Sequence, residues 1–287
     1  MSARAVAAGC IFIAAASFAQ ETPIQRGEYL LHAGGCLSCH TEDKDDAVPL
    51  AGGRPLESPF GVFYSPNITP DPETGIGEWT DEDFLNALWD GIGPNDKHYY
   101  PAFPYTSYTG MTKSDALAIK TYLFSLEPVR RENRANELPW YMFTRLAPGA
   151  WKLMHFDSKR FEPDPDRSDE WNRGAYLVRH LGHCGECHTP RNAIGKLLND
   201  LELTGTSQGP DGEKTPDITP NIETGIGAWS TDEIEFFLQL GMEPGGDFVG
   251  GKMSEVIDDN TGKLTDADRH AIAVYLKSLP ASTPAPN

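Results

Sequence analysis

Beyond its first 19 residues the chain has no apolar run near the ~20 residues needed to cross a bilayer, so no integral span is expected once that segment is removed. Cysteine is scarce. There are five among 287 residues; Cys10 falls in the N-terminal stretch and the other four lie in two short motifs, leaving no pair for a disulfide. Basic residues are few, 24 Lys and Arg against 42 Asp and Glu, and the net charge of -18 argues against nucleic acid as a partner. Alternating apolar and polar runs are nearly absent, which excludes a sheet-rich fold. No Ser/His/Asp set, Gly-rich phosphate loop or paired-carboxylate pattern stands out, so hydrolytic and phosphoryl-transfer chemistry has no visible carrier.

What is present begins with an export signal over residues 1–19. Arg4 supplies the positive end, Cys10 to Ala16 is apolar, and Ser17-Phe18-Ala19 is a small-residue cleavage site before Gln20. A lipoprotein signal at Cys10 is the weaker reading, because the apolar run follows that cysteine. Cleavage would remove Arg4 and no acid, taking the charge from -18 to -19. Such a surface suits solubility and docking to a basic redox partner.

Two stretches then spell Cys-x-x-Cys-His: Cys36 to His40 and Cys184 to His188. Cysteines at i and i+3 share one helical face and can form thioethers with the two vinyl groups of one porphyrin. The adjacent histidine then lies under the ring as the proximal iron ligand. Two covalently bound haem c groups are therefore expected, held by Cys36, Cys39, Cys184 and Cys187, with His40 and His188 on iron. A zinc site shared by the two CxxC pairs is the alternative. The trailing histidines and the equivalent positions of the motifs in a repeat argue against it.

The chain is one unit written twice. Arg26-Gly27-Glu28-Tyr29-Leu30 returns as Arg173-Gly174-Ala175-Tyr176-Leu177, and Glu73-Thr74-Gly75-Ile76-Gly77-Glu78-Trp79 as Glu223-Thr224-Gly225-Ile226-Gly227-Ala228-Trp229. Each unit closes on a helical stripe: Ile119, Tyr122, Leu123 and Leu126, then Ile272, Tyr275, Leu276 and Leu279. Thr22 with Gln25 and Ser230 with Glu233 are capping boxes. Gly27 and Gly174 suit a close crossing of the first helix over the last. Trp79 and Trp229 can pack in the core or donate to a haem propionate. The expected architecture is all-α, with a leader (1–19), a first haem unit (20–127), a linker (128–167), a second unit (168–280) and a tail (281–287).

The linker carries Arg130, Arg131 and Arg134, the stiff run from Phe161 to Asp166, and the aromatics Trp140, Tyr141, Phe143, Trp151 and Phe156. Those aromatics are expected to pack between the units and fix their geometry, or else to form a docking face. The sixth iron ligand decides between electron carrier and catalyst. Met111, on a loop before the closing helix, is the candidate in the first unit, with His98 as its rival. Met253, followed by a longer loop, is the candidate in the second. Met242 stands where Ile92 does in the first unit and reads as packing, and Met142 and Met154 read as core. His32, His180 and His183 precede the motifs and read as packing or propionate partners.

The segments Pro66-Asn67-Ile68-Thr69-Pro70, Tyr100-Pro101-Ala102-Phe103-Pro104-Tyr105 and Trp171-Asn172-Arg173-Gly174 resemble the cytochrome c subunits of bacterial alcohol, gluconate and aldehyde dehydrogenases. The resemblance implies a class I cytochrome c fold for each unit and favours Met111 over His98. It also implies a periplasmic dehydrogenase as electron donor. Many such subunits have three haem domains and a membrane association. This chain ends soon after Leu279, so a soluble two-haem relay to a soluble or membrane-bound acceptor is expected rather than direct quinone reduction. An electron-transfer protein or subunit is favoured over an enzyme acting by itself. The rival is a di-haem peroxidase or sulfur-compound dehydrogenase with one open or differently ligated haem; a haem-based sensor lacks an output domain. Mass measurement of the denatured protein from a haem-loading host should show two retained haems, and Cys36→Ala with Cys39→Ala should leave one.

Overall fold

The computed structural model describes residues 21–142, 146–209 and 212–282. The leader with Cys10, the aromatic Phe143 and residues 283–287 of the tail lie outside the described residues. In chain order the helices are α1 (Pro23–Ala33), α2 (Cys36–His40), α3 (Asp81–Asp90), α4 (Tyr105–Tyr108), α5 (Lys113–Leu123), α6 (Leu146–His155), α7 (Asp169–Tyr176), α8 (Gly185–His188), α9 (Thr231–Leu240), α10 (Gly251–Asp259) and α11 (Asp266–Ser278).

The helix starts have the chemistry expected of them. Thr22 and Gln25 form the capping box of α1, Thr80 and Asp83 that of α3, and Ser230 and Glu233 that of α9. Glycines in the left-handed region, Gly91 at φ 59° and Gly241 at φ 74°, end α3 and α9. Helix α1 crosses α5, and α7 crosses α11, each at a glycine. A Cβ on Gly27 would lie 2.1 Å from the Ala118 carbonyl oxygen, and one on Gly174 2.0 Å from that of Ala271, so only glycine permits these crossings.

One helical segment departs from its counterpart. Arg26 stands ten residues before Cys36, but Arg173 stands eleven before Cys184. The extra residue is absorbed by a π-helical turn, Leu177–Leu181, that continues α7.

The fold is mostly helical, as expected, and among the described residues two short antiparallel hairpins accompany the helices: β1 (Pro55–Ser58) with β2 (Gly61–Tyr64), and β3 (Ile92–Gly93) with β4 (Lys97–His98). The first is extended by the linker, where Val62 and Glu137 exchange backbone hydrogen bonds of 3.0 and 2.8 Å. The linker's basic cluster is also tied down, with Arg130 on Glu73, Arg131 on Glu42 and Arg134 on Glu137. Its aromatics divide. Phe156 packs edge-on against Tyr105 at 5.1 Å, and Trp151 donates to the Ile194 carbonyl at 2.9 Å. Trp140 is 82% exposed and Tyr141 58%, so these two are not buried between the repeats, and Met154, expected in the core, is 67% exposed on α6.

The two halves are joined instead by a reciprocal exchange of tyrosines. Tyr29 of α1 donates to Asp268 of α11 at 2.6 Å, and Tyr176 of α7 donates to Asp115 of α5 at 2.8 Å. Each tyrosine oxygen also faces, at 3.3 Å, the backbone N–H of the other half's N-cap threonine, Thr265 or Thr112. Arg26 and Arg173 complete the buried carboxylate sites by pairing with Asp115 and Asp268 of their own halves. Burial pushes the Asp268 carboxyl up, but the hydrogen bonds from Arg173 and Tyr29 outweigh it and hold it below its ordinary value of 3.8. This contribution to stability is present above that value and is lost as pH falls through the lowered folded value. Unfolding followed against pH should therefore show acid loosening below about 3.8, and Asp268→Asn should reduce neutral-pH stability while flattening that dependence.

Candidate haem-binding site

The two motif histidines are held in the same way. His40 Nδ1 donates to the Pro66 carbonyl at 2.8 Å, and His188 Nδ1 donates to the Pro216 carbonyl at 2.8 Å. With Nδ1 carrying the proton, Nε2 is left as a lone pair, the form an iron ligand needs. Burial lowers both imidazole pKa values below the usual 6.5, which keeps the rings neutral at neutral pH.

The proline carbonyls are positioned by matching loops. Thr69 N–H donates to Asn67 Oδ1 at 2.9 Å, and Thr219 N–H to Asp217 Oδ1 at 2.7 Å. Ile76 and Ile226 close the loops by donating to the Thr69 and Thr219 carbonyls. A Cβ on Gly75 or Gly225 would come within 2.1 or 2.3 Å of those same carbonyl oxygens, which explains the repeated glycine. The chain leaving each closing helix then straps the loop: Val129 N–H and Ser282 N–H each donate at 3.1 Å to Thr69 Oγ1 and Thr219 Oγ1. Asn67 and Asp71 become Asp217 and Asn221 in the second copy, so amide and carboxylate trade places while both remain bonded.

The cysteines sit at i and i+3 as free, half-buried thiols. Burial pushes Cys36 and Cys187 up to about 12 and Cys184 to about 11, and raises Cys39 as well. Without a bound group they are therefore neutral thiols at neutral pH. Among the described residues no three His, Cys, Asp or Glu side chains gather in a way that could hold a metal ion, so the zinc alternative gains no support. Paired thiols beside an imidazole with a free Nε2 fit a covalently attached haem, with the thiols bonding its periphery and the imidazole its iron. Bound there, haem supplies an iron that gains and loses one electron at a time.

The candidate sixth ligands are placed differently. Met111 follows α4, is 1% exposed, and lies in the core with Leu30, Leu31, Ile119 and Leu123. Trp89 Nε1 donates to its carbonyl at 2.9 Å. Its rival His98 pairs with Ile92 in the second hairpin and stands beside Gly149 of α6. Met242 pairs with Phe248 as Ile92 pairs with His98. Met253 lies half-buried in α10, a helix where the sequence suggested a loop, and α10 rests against both α9 and α2. Trp229 packs on Phe237 at 5.4 Å, and Trp79 also lies against the core. His32, His180 and His183 all lie in the seam between the halves; His183 Nε2 approaches the Gly34 carbonyl at 3.3 Å, which Tyr108 OH also reaches at 2.6 Å.

Sequence reasoning missed Glu186. It is the second variable residue of the second motif, yet Thr106 and Ser107 of α4 donate to it at 2.8 Å each and Arg191 pairs with it. Burial pushes its carboxyl up, but these partners prevail and hold it below the usual value. Nothing in its local sequence marks a carboxylate whose two hydroxyl partners lie some 80 residues away.

A helical chain with thiol pairs at helical spacing, each beside a neutral, carbonyl-tethered imidazole, is a c-type cytochrome in class. The cytochrome c family model matches residues 24–127. A diheme cytochrome c-type protein of Cereibacter sphaeroides is 42% identical over 259 residues, covering 89% of this chain and 86% of that one. The gluconate 2-dehydrogenase cytochrome c subunit of Pantoea cypripedii is 38% identical over 271 residues, and the cytochrome c subunit of the quinone alcohol dehydrogenase of Gluconobacter oxydans is 39% identical over 271. Each of these two alignments covers 92% of this chain, but only 61% and 56% of the respective subunit. The chain belongs to the cytochrome c family, and its chemistry is electron transfer by covalently bound haem c.

Proposed function

We propose that this protein is a periplasmic di-haem cytochrome c. It would take single electrons from a dehydrogenase and pass them to a soluble or membrane-bound acceptor. The observation that carries this reading is the duplicated His–proline carbonyl pair, His40 with Pro66 and His188 with Pro216, each beside its own CxxC. This reading divides the chain into two tandem haem units over 20–127 and 168–280, joined by 128–167, and the duplication supports it. Export by residues 1–19 gives the oxidising setting in which such cytochromes work, and no helix among the described residues is long and apolar enough to cross a membrane. The dehydrogenase donor rests on the relatives that are named as dehydrogenase subunits.

Met111 and Met253 are the sixth ligands in this reading, which closes both irons to substrate. The oxidised protein should show the near-infrared sulfur-to-iron band from both haems, and the reduced protein should not bind carbon monoxide. Met111→Ala and Met253→Ala should each remove one haem's share of the band, open that iron and lower its potential. The di-haem enzyme draws on one observation, that Met253 is half-buried whereas Met111 is enclosed. Stoichiometric carbon monoxide binding at the second haem of the unaltered protein would favour it.

Docking should depend on salt. With a net charge of -18 on the full chain, association with a basic donor should slow as ionic strength shortens the screening length below ~10 Å. A rate indifferent to salt would assign docking to the exposed Trp140 and Tyr141 instead.

A further inference from the structure

The two segments that bear Met111 and Met253 are both held from the opposite half of the molecule. Around Met111, His180 Nδ1 bonds the Ser107 carbonyl at 3.0 Å, and the same ring sits so close to Gly110 that a Cβ there would meet Nδ1 at 2.1 Å. Glu186 takes the hydroxyl hydrogens of Thr106 and Ser107, and Tyr176 OH accepts from the N–H of Thr112. All three side chains belong to the stretch from α7 to α8 that precedes and contains the second motif. On the helix that carries Met253, His32 Nδ1 bonds the Asp259 carbonyl at 2.8 Å and Arg54 pairs with Glu255; where the chain runs on from that helix into α11, Tyr29 OH accepts from the N–H of the N-cap Thr265. These side chains belong to the first half, and α2 itself lies against α10.

Taking Met111 and Met253 as the sixth ligands, we propose that each half of this chain positions the axial methionine of the other half's haem. His180, Glu186 and Tyr176 are positioning residues for Met111; His32, Arg54 and Tyr29 are positioning residues for Met253. A thioether bound to iron is a weak ligand whose occupancy depends on the backbone that presents it, so loosening either clamp opens an iron that the altered side chain does not serve in its own half. Oxidation state, ligation and stability of the two haems are then linked through the seam rather than set separately.

The test reads the crossed effect in the full-length, haem-loaded protein. Each iron-bound methionine gives its own strongly shifted methyl resonance in proton NMR, assigned by its disappearance in Met111→Ala and Met253→Ala. His180→Ala should weaken or abolish the Met111 signal, admit carbon monoxide at the first haem and leave the Met253 signal in place; His32→Ala should do the reverse. Tyr176→Phe and Tyr29→Phe, which remove only a hydroxyl, should shift the same signals in the same crossed sense if the larger truncations fail to fold. Effects confined to the haem of the altered residue's own half, or absent from both, would overturn the proposal. A Met111→Ala or Met253→Ala protein with an unchanged spectrum would instead overturn the ligand reading on which it rests.

Discussion

The hydrogen bond from each motif imidazole to a proline carbonyl is the constraint around which each half is arranged. It decides which ring nitrogen carries a proton, and therefore which one can meet a metal. A single N–H to carbonyl bond contributes only about 0.5–1.5 kcal/mol, too little to hold a ring against competing water unless the carbonyl is itself immobile. The loops supply that rigidity. Asn67 and Asp217 fix the backbone just after the proline, Gly75 and Gly225 allow the return strand to touch it, and the chain leaving the closing helix crosses over both. The linker after α5 is thus part of the first site's scaffold.

The seam follows a second logic. Asp115 and Asp268 are buried, and a buried carboxylate is tolerated only when its oxygens are fully used. Each half supplies an arginine for its own aspartate but leaves one bond to be made by the other half's tyrosine. Truncating either tyrosine strands part of a buried charge, so contact between the halves is enforced by desolvation as much as by packing. Gly34 and Tyr108, beside the first motif, meet His183, beside the second, in the same seam.

What was legible in the sequence is what depends on neighbours along the chain. Thr22 with Gln25 and Ser230 with Glu233 announced their helices, and the stripes from Ile119 to Leu126 and from Ile272 to Leu279 marked the closing ones, which end slightly earlier, at Leu123 and Ser278. Gly27 and Gly174 were readable because they recur at one register. The first hairpin was not readable, since its edge strand pairs with Glu137, far along the chain. Helix α10 was hidden by Gly250 and Gly251 at its start, which look like loop residues. Glu186 and the exchanged tyrosines escaped because the hydroxyls of Thr106 and Ser107 and the carboxylates of Asp115 and Asp268 that they meet lie in the other repeat. The exposed Trp140 and Tyr141 escaped because composition alone cannot say which aromatics find a neighbour.

The exchange also imposes an order in time. Tyr29 and Asp268 are 239 residues apart, so although the first helix can pack on α5, its seam contacts cannot form until the last helix has been made. Closing so long a loop is slow, and contacts that depend on it form late in folding. Cys36 and Cys39 are synthesised long before α11 exists. The first attachment site therefore passes through a stage in which Gly34 and Tyr29 have no neighbours from the second half, and its thiols are more accessible then than in the finished molecule. The same contacts that lock the mature protein leave that door open while the chain is still incomplete.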